Sequence, residues 1–212
     1  MVNHVVIMAG GVGSRLYPLS TPDRPKQFLD LLSCGKTLIQ LTYERFLAVD
    51  SKAVFWVVTS ENYTHFVREQ LPDIPPERIL SEPVARNTAP CIAYACWKIR
   101  KSFPDSNIIV TPSDAYVPDK DAFALTMRKS LDFTATSPEI VCVGIKAESP
   151  HTGYGYLHAV PTGEGDIVPV LEFKEKPSLE TAREYVRSGE YFWNAGIFVW
   201  NISTIESEFR KY

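Results

Sequence analysis

Apolar and polar positions along the chain follow two periods, and each period marks a kind of element. Short, nearly continuous apolar runs occur at residues 4–8, 53–59, 107–111 and 140–146. β-Branched residues dominate these runs, which predicts strands buried on both faces of a parallel sheet. A shorter strand is expected at 78–81. Between the runs, apolar residues recur every three or four positions. Residues 37–47 place Leu38, Leu41, Tyr43, Arg45 and Phe46 around a helix with a packing stripe. Further helices are predicted at 62–71, ended by Pro72, at 91–101, and from Asp119 and Asp121 to about Thr136, where acidic residues suit the helix start. This order predicts an α/β fold, a Rossmann-like open, mostly parallel sheet with helices on both faces. The last third reads differently. Residues 170–177 alternate apolar and charged positions, predicting a strand with one wet face, Leu171 and Phe173 on one side and Glu172, Lys174 and Lys176 on the other. Ser178 caps a helix to Arg187 that Gly189 stops. Residues 191–200 form an aromatic strand interrupted by Asn194-Ala195-Gly196, where either a bulge or a ligand contact is expected.

Composition narrows the class. A chain of 212 residues with 45% hydrophobic content suits one sizeable core, so residues 1–212 are expected to form a single domain. A net charge of −3 gives no general attraction to nucleic acid or to an anionic membrane, so positive potential must be local to a site. Cys34, Cys91, Cys96 and Cys142 lack C-x-x-C spacing and a nearby histidine, and read as reduced core or helix residues in a cytoplasmic protein. The N-terminus lacks a charged n-region followed by a long apolar segment, and no 18-residue apolar run is present, so neither a signal peptide nor a membrane span is expected. His4, His65, His151 and His158 are scattered and read as surface or packing residues.

The candidate chemistry begins where the first strand stops. Gly10, Gly11 and Gly13 fall within four residues, which lets the backbone turn tightly and offer N–H groups to an anion. Arg15 and Lys26 add positive charge beside them, so the stretch reads as a phosphate cradle. It is neither of two familiar cradles. A dinucleotide fingerprint begun at Gly11 fails at Leu16, and a Walker A loop ending at Gly35-Lys36-Thr37 would need a glycine where Asp30 stands. Gly35-Lys36-Thr37 is expected to be a turn opening a helix. Glu82-Pro83-Val84-Ala85-Arg86-Asn87-Thr88-Ala89-Pro90 leads into the third helix, with Asn87 or Thr88 as its N-cap, and such a helix start can read a base or a phosphate. Asp114 lies just past the strand at 107–111. It is therefore on the rim where ligands of open parallel sheets bind, and a lone carboxylate there suits Mg2+. Gly153-Tyr154-Gly155 could bring backbone close to a sugar ring or form a flexible hairpin, and the residues alone leave both open.

Taken in order, these motifs resemble those of the sugar-nucleotide pyrophosphorylases over residues 4 to 200. Gly10 to Leu16 with Pro25-Lys26-Gln27-Phe28 matches the nucleotide-phosphate signature, and Glu82-Pro83 with residues 86–90 resembles the guanylyl branch. The resemblance implies the nucleotide-diphospho-sugar transferase fold and transfer of GMP from GTP to mannose 1-phosphate, with Mg2+ as cofactor. It implies that Gly10, Gly11, Gly13, Glu82, Arg86, Asn87 and Thr88 hold the nucleotide. Arg15, Lys26 and Asp114 would be catalytic, and Asp114 would also carry the metal. Gly153, Tyr154, Gly155, Glu175, Lys176, Asn194 and Gly196 would hold the sugar phosphate. Ala115 departs from the pattern, since relatives often have His there. A second acidic metal ligand is expected beyond Tyr212, so the 212 residues read as a fragment. Three alternatives remain: a relative using another nucleoside triphosphate or hexose phosphate, a non-catalytic binding domain, and, more remotely, a dehydrogenase. A homo-oligomer is left open.

Overall fold

A computed structural model describes residues 1–11, 13, 16–84, 87–161, 165 and 167–211. Its strands are β1 (Val2–Met8), β2 (Val54–Ser60), β3 (Ile79–Glu82), β4 (Ser106–Pro112), β5 (Val141–Lys146), β6 (Gly155–His158), β7 (Glu172–Glu175) and β8 (Tyr191–Asn201). Its helices are α1 (Leu38–Val49), α2 (Thr64–Gln70), α3 (Thr88–Ser102), α4 (Lys120–Thr136), α5 (Leu179–Ser188) and α6 (Ile202–Lys211). The chain divides into two compact units, residues 1–140 with 199–212, and residues 141–198.

In the first unit the sheet order is β3-β2-β1-β4, every pair parallel. His4, Val5, Val6 and Ile7 are consecutive and all buried. Because neighbouring strand residues point to opposite faces, both faces of β1 must be covered, as helices connecting parallel strands do. α1 packs on α4, α3 packs on α6, and each of the four helices also touches the sheet. The fold is therefore α/β with an open, mostly parallel core sheet, as the apolar runs predict. The predicted starts of α1 and α4 also hold. Thr37 opens α1, its N–H donating to Gln40 Oε1 at 2.9 Å, while Lys36 pairs with Glu44 at 2.8 Å. Asp119 Oδ1 accepts from the Ala122 N–H at 2.9 Å and so caps α4. α6 has no counterpart in the sequence expectations.

The second unit is antiparallel. β6 lies between β7 and β8, with Gly155 opposite Glu175 and Tyr156 opposite Trp193. Its core gathers Ala147, Tyr156, Ala182 and Tyr185. Ser178 caps α5 by accepting from Thr181 N, and Gly189 ends that helix at φ 74°, as expected. Two expectations fail here. β5 is only half-buried and ends in exposed residues, because an apolar run reports what a strand can bury rather than what covers it. Leu171 and Phe173 are exposed, so the alternation at 170–177 does not yield one dry face. At 194–196, where a bulge or a ligand contact is expected, the strand continues with a local backbone irregularity. β8 runs through it, with Gly196 at φ 69° and its N–H donating to Asn194 Oδ1 at 2.9 Å. All four cysteines are free thiols, but Cys34 sits in an exposed turn rather than in the core or a helix.

Candidate active site

β1 ends at Met8, and the chain then turns against its neighbours instead of continuing. Ala9 N–H donates to Val58 O at 2.8 Å, and Ala9 O accepts from Thr59 Oγ1 at 2.8 Å. The turn is secured from the far side of the loop by Gln27. That side chain is 1% exposed, and its amide donates to Ala9 O at 3.0 Å and to Gly11 O at 2.9 Å. With both carbonyls held, the glycine backbone has a fixed course. Gly13 adopts φ 71°, and a Cβ there would stand 2.7 Å from Lys26 Cγ and 2.9 Å from Ser20 Oγ. Glycine is thus required at 13 both for its dihedral and for the room Lys26 occupies.

Lys26 opens a single 3-10 turn (Lys26–Phe28) whose support comes from helices. Leu38 N–H of α1 donates to Leu29 O at 3.3 Å, and Gln70 Nε2 at the end of α2 donates to Phe28 O at 3.2 Å. Lys26 Nζ makes an ion pair with Asp114 Oδ2. Asp114 stands two residues past β4, so the parallel pairing of β1 with β4, Met8 opposite Pro112, brings the two strand ends side by side. Met8, Gly11, Gly13, Leu16, Lys26, Gln27, Ser113 and Asp114 line a cavity of about 350 Å³. The Lys26 and Asp114 side chains are 31% and 26% exposed, open to a ligand without being fully solvated.

The end of β3 lies on the same side of the sheet. A Cβ at Gly10 would come within 3.9 Å of Glu82 Oε2, and partial burial raises the Glu82 carboxyl above the usual range. Asn87 occupies the N-cap position of α3, but its side chain makes no capping bond. Its backbone lies at φ 66°, ψ −169°, a geometry nearly restricted to glycine. Thr88 to Pro90 are exposed beside it. Arg15 and Arg86 lie outside the described residues.

In the second unit, a Cβ at Gly155 would stand 2.9 Å from Glu175 Oε2 and Phe173 Cζ, so the ends of these two exposed side chains close over the glycine. Lys176 N–H donates to Tyr154 O at 3.2 Å with Lys176 at φ 43°, and its ammonium pairs with Glu175 at 2.7 Å. Tyr154 stacks on His151 at 3.9 Å and meets Trp193 edge-on at 5.5 Å. Gly153 N–H donates to His151 Nδ1 at 3.0 Å. Asn194 and Gly196 adjoin Trp193, whose indole nitrogen is buried without a partner among the described residues. Gly10, Gly11, Gly13, Lys26, Glu82 and Asp114 thus come together in the first unit, and Gly153, Tyr154, Gly155, Glu175 and Lys176 in the second, whereas Asn194 and Gly196 are tied to each other. Gln27, which holds the turn through Ala9 O and Gly11 O, has no site role in the sequence expectations.

The nucleotidyl transferase family model matches residues 4–211. A mannose-1-phosphate guanylyltransferase of Escherichia coli strain K12 is 40% identical over 98% of this chain and 44% of its own length. Xanthan biosynthesis protein XanB of Xanthomonas campestris pv. campestris is 40% identical with the same coverage. A crystal structure from Thermus thermophilus, named as a mannose-1-phosphate geranyltransferase, superposes with a TM-score of 0.89 at 33% identity, over 99% of this chain and 60% of that one. The chain spans less than half the length of these curated relatives. On the family match and these identities, it belongs to the nucleotidyl transferase family.

Proposed function

We propose that this chain carries the site that transfers GMP from GTP to mannose 1-phosphate, with release of pyrophosphate. The observation that carries the reading is the cavity in which the glycine turn, the Lys26 ammonium and the Asp114 carboxylate face one space. The guanylyl specificity is taken from the relative of that name. A triphosphate needs N–H donors and positive charge at close range, and the turn with Lys26 supplies both. Glu82, Asn87 and Thr88 are assigned to the nucleoside, an assignment supported by the approach of Glu82 to the Gly10 position and by the exposed start of α3.

Mg2+ fits the residues present. It takes hard oxygen ligands and keeps several waters, so one carboxylate beside a phosphate-sized cavity is a sufficient protein share. Asp114 is such a carboxylate, and no group of three His, Cys, Asp or Glu that could hold a metal occurs among the described residues. Bound there, the ion would neutralise charge on the triphosphate oxygens. With a triphosphate in the cavity, the Lys26 ammonium would trade its ion pair with Asp114 for one with a phosphate oxygen. The Gly11 and Gly13 backbone fixes the α-phosphate, and the Gln27 amide keeps that backbone from relaxing.

An oxygen of mannose 1-phosphate attacks the α-phosphorus. The new P–O bond forms as the bond to the bridging oxygen of the β-phosphate breaks, and pyrophosphate leaves with that electron pair. The attacking oxygen is already ionised, so no general base is needed; the residues contribute positioning and charge neutralisation. In the second unit, Gly153, Tyr154, Gly155, Glu175, Lys176, Asn194 and Gly196 are assigned to the sugar phosphate. Lys26→Met and Asp114→Asn test the assignment in the natural full-length protein. Each is expected to lower kcat by about a hundredfold to a thousandfold with an unchanged circular dichroism spectrum. Near wild-type turnover in either variant removes that residue from the site.

A further inference from the structure

One charged side chain in the first unit sits where the packing pattern of its helix calls for an apolar one. Arg45 shares the inward face of α1 with Leu38, Ile39, Thr42, Phe46 and Val49, and it is 5% exposed. Among the described residues no carboxylate pairs with it. Burying a guanidinium without a counter-charge is costly, and burial alone lowers its pKa to about 10. A helix that only had to pack would be more stable with Leu or Met at that position. The polar contacts of the side chain show where the charge is used. Nη2 donates to Thr42 Oγ1 at 3.2 Å, one turn back on the same helix. Nη1 donates to Ala115 O at 2.8 Å, across 70 residues of sequence. Phe46 and Phe123 hold the guanidinium plane, their ring centres 5.7 and 5.2 Å from its carbon. Nε is left buried with no partner among the described residues.

Ala115 is the residue after Asp114. We propose that Arg45 is a positioning residue: its charge-assisted hydrogen bond to Ala115 O fixes the strand-end segment Ser113 to Tyr116, and so the place of the Asp114 carboxylate. The proposal rests on the reading of Asp114 as the metal-holding residue. α1 is suited to the task because the same helix binds Leu29 O just after the Lys26 turn. One rigid element thus braces both partners of the Lys26–Asp114 pair, and Arg45 is the arm that reaches Asp114's side. A bond to charge is stronger and shorter than a neutral one, and Thr42 with the two rings leaves the guanidinium little freedom to miss its target.

The test uses hydrogen exchange read by mass spectrometry, with steady-state kinetics, on the natural full-length protein. In Arg45→Met, exchange at the amides of residues 113–116 should rise by about tenfold or more while β1 and β2 keep wild-type protection. Turnover should fall by about tenfold to a hundredfold in kcat with little change in KM for GTP, since a displaced group costs rate more than binding. Arg45→Lys should recover part of both effects. A folded Arg45→Met protein with wild-type exchange at 113–116 overturns the proposal. So does an exchange increase spread evenly over the first unit, with turnover lost only in step with the folded fraction, because that is a structural role alone. Should Arg45→Met not fold, Thr42→Val, which removes the hydroxyl orienting the guanidinium, must show the same localised exchange at smaller size, and its absence is equally fatal. Asp114→Asn separates the two claims. Full turnover in that variant defeats the metal reading, while the exchange data still decide the role of Arg45.

Discussion

At position 27 a buried side-chain amide stands between two backbone carbonyls, and the glycine turn depends on it. Gln27 belongs to a motif visible in the sequence, yet its task was not, because its partners lie 16 and 18 residues earlier and only the folded turn brings them together. That Lys26 and Asp114 lie on one rim, where they now pair, was legible for the opposite reason. A basic residue beside a glycine cluster and an acid just past a buried strand carry their chemistry in residue type and position. Helical periodicity puts Arg45 in a packing stripe, and periodicity cannot distinguish a packing residue from one that reaches a distant carbonyl. His4, expected at the surface or in packing, is fully buried. The Trp56 indole can only donate, so its bond to His4 Nδ1 at 3.0 Å fixes that nitrogen as unprotonated. The His4 Nε2 atom is buried without a partner among the described residues, and burial, aided by Arg78, lowers the pKa from 6.5 to about 4. The native state therefore binds fewer protons than the unfolded chain between those values. His4's contribution to stability is complete above about pH 6.5 and is lost as pH falls toward 4, about 3 kcal/mol in all. Urea unfolding at pH 7 and pH 4.5 should show His4→Gln losing about 2 kcal/mol less than wild type over that interval. Equal losses would refute the assignment.

At the scale of elements, α1 is the strut of the first unit, and its two ends are held differently. Its start is local, through Thr37 and Gln40, and could be read from the sequence. Its end is not, since Arg128 of α4 donates through Nε to Val49 O at 2.9 Å and through Nη2 to Ala48 O at 2.5 Å. These carbonyls have no partner within the helix, and a cation there also complements the helix dipole. Arg128→Ala should lower stability by about 1–2 kcal/mol, measured as a lower urea midpoint at unchanged slope, and leave nucleotide affinity as in wild type. A shift under about 0.3 kcal/mol would mean that water replaces the arginine at no cost. The helix starts at Ser178 and Asp119 were read correctly because a cap is a local hydrogen bond. Between Asn87 and Thr88, the two N-cap candidates of α3, the structure selects Asn87, but without a side-chain bond, since its unusual φ and ψ are not written in the residue type. The burial of β5 and β7 was misread, because neither a run nor an alternation says what lies on top of a strand.

Across the whole chain, the parallel character of β1 to β4 was legible because buried parallel strands are apolar throughout, but their order, which sets the glycine turn beside Asp114, was not. The division at residues 141–198 was not, since no linker, repeat or shift of composition marks it. The central claim is that these residues belong to an enzyme joining GMP to mannose 1-phosphate. The most direct measurement is pyrophosphate release by the natural full-length protein with Mg2+ and mannose 1-phosphate, comparing GTP with ATP, UTP and dTTP, and repeating the GTP reaction with glucose 1-phosphate. The account predicts release with GTP and mannose 1-phosphate that stops when Mg2+ is chelated, at a kcat/KM at least about a hundredfold above that of any other pair. A higher kcat/KM for another pair, or no release from any pair, would contradict it.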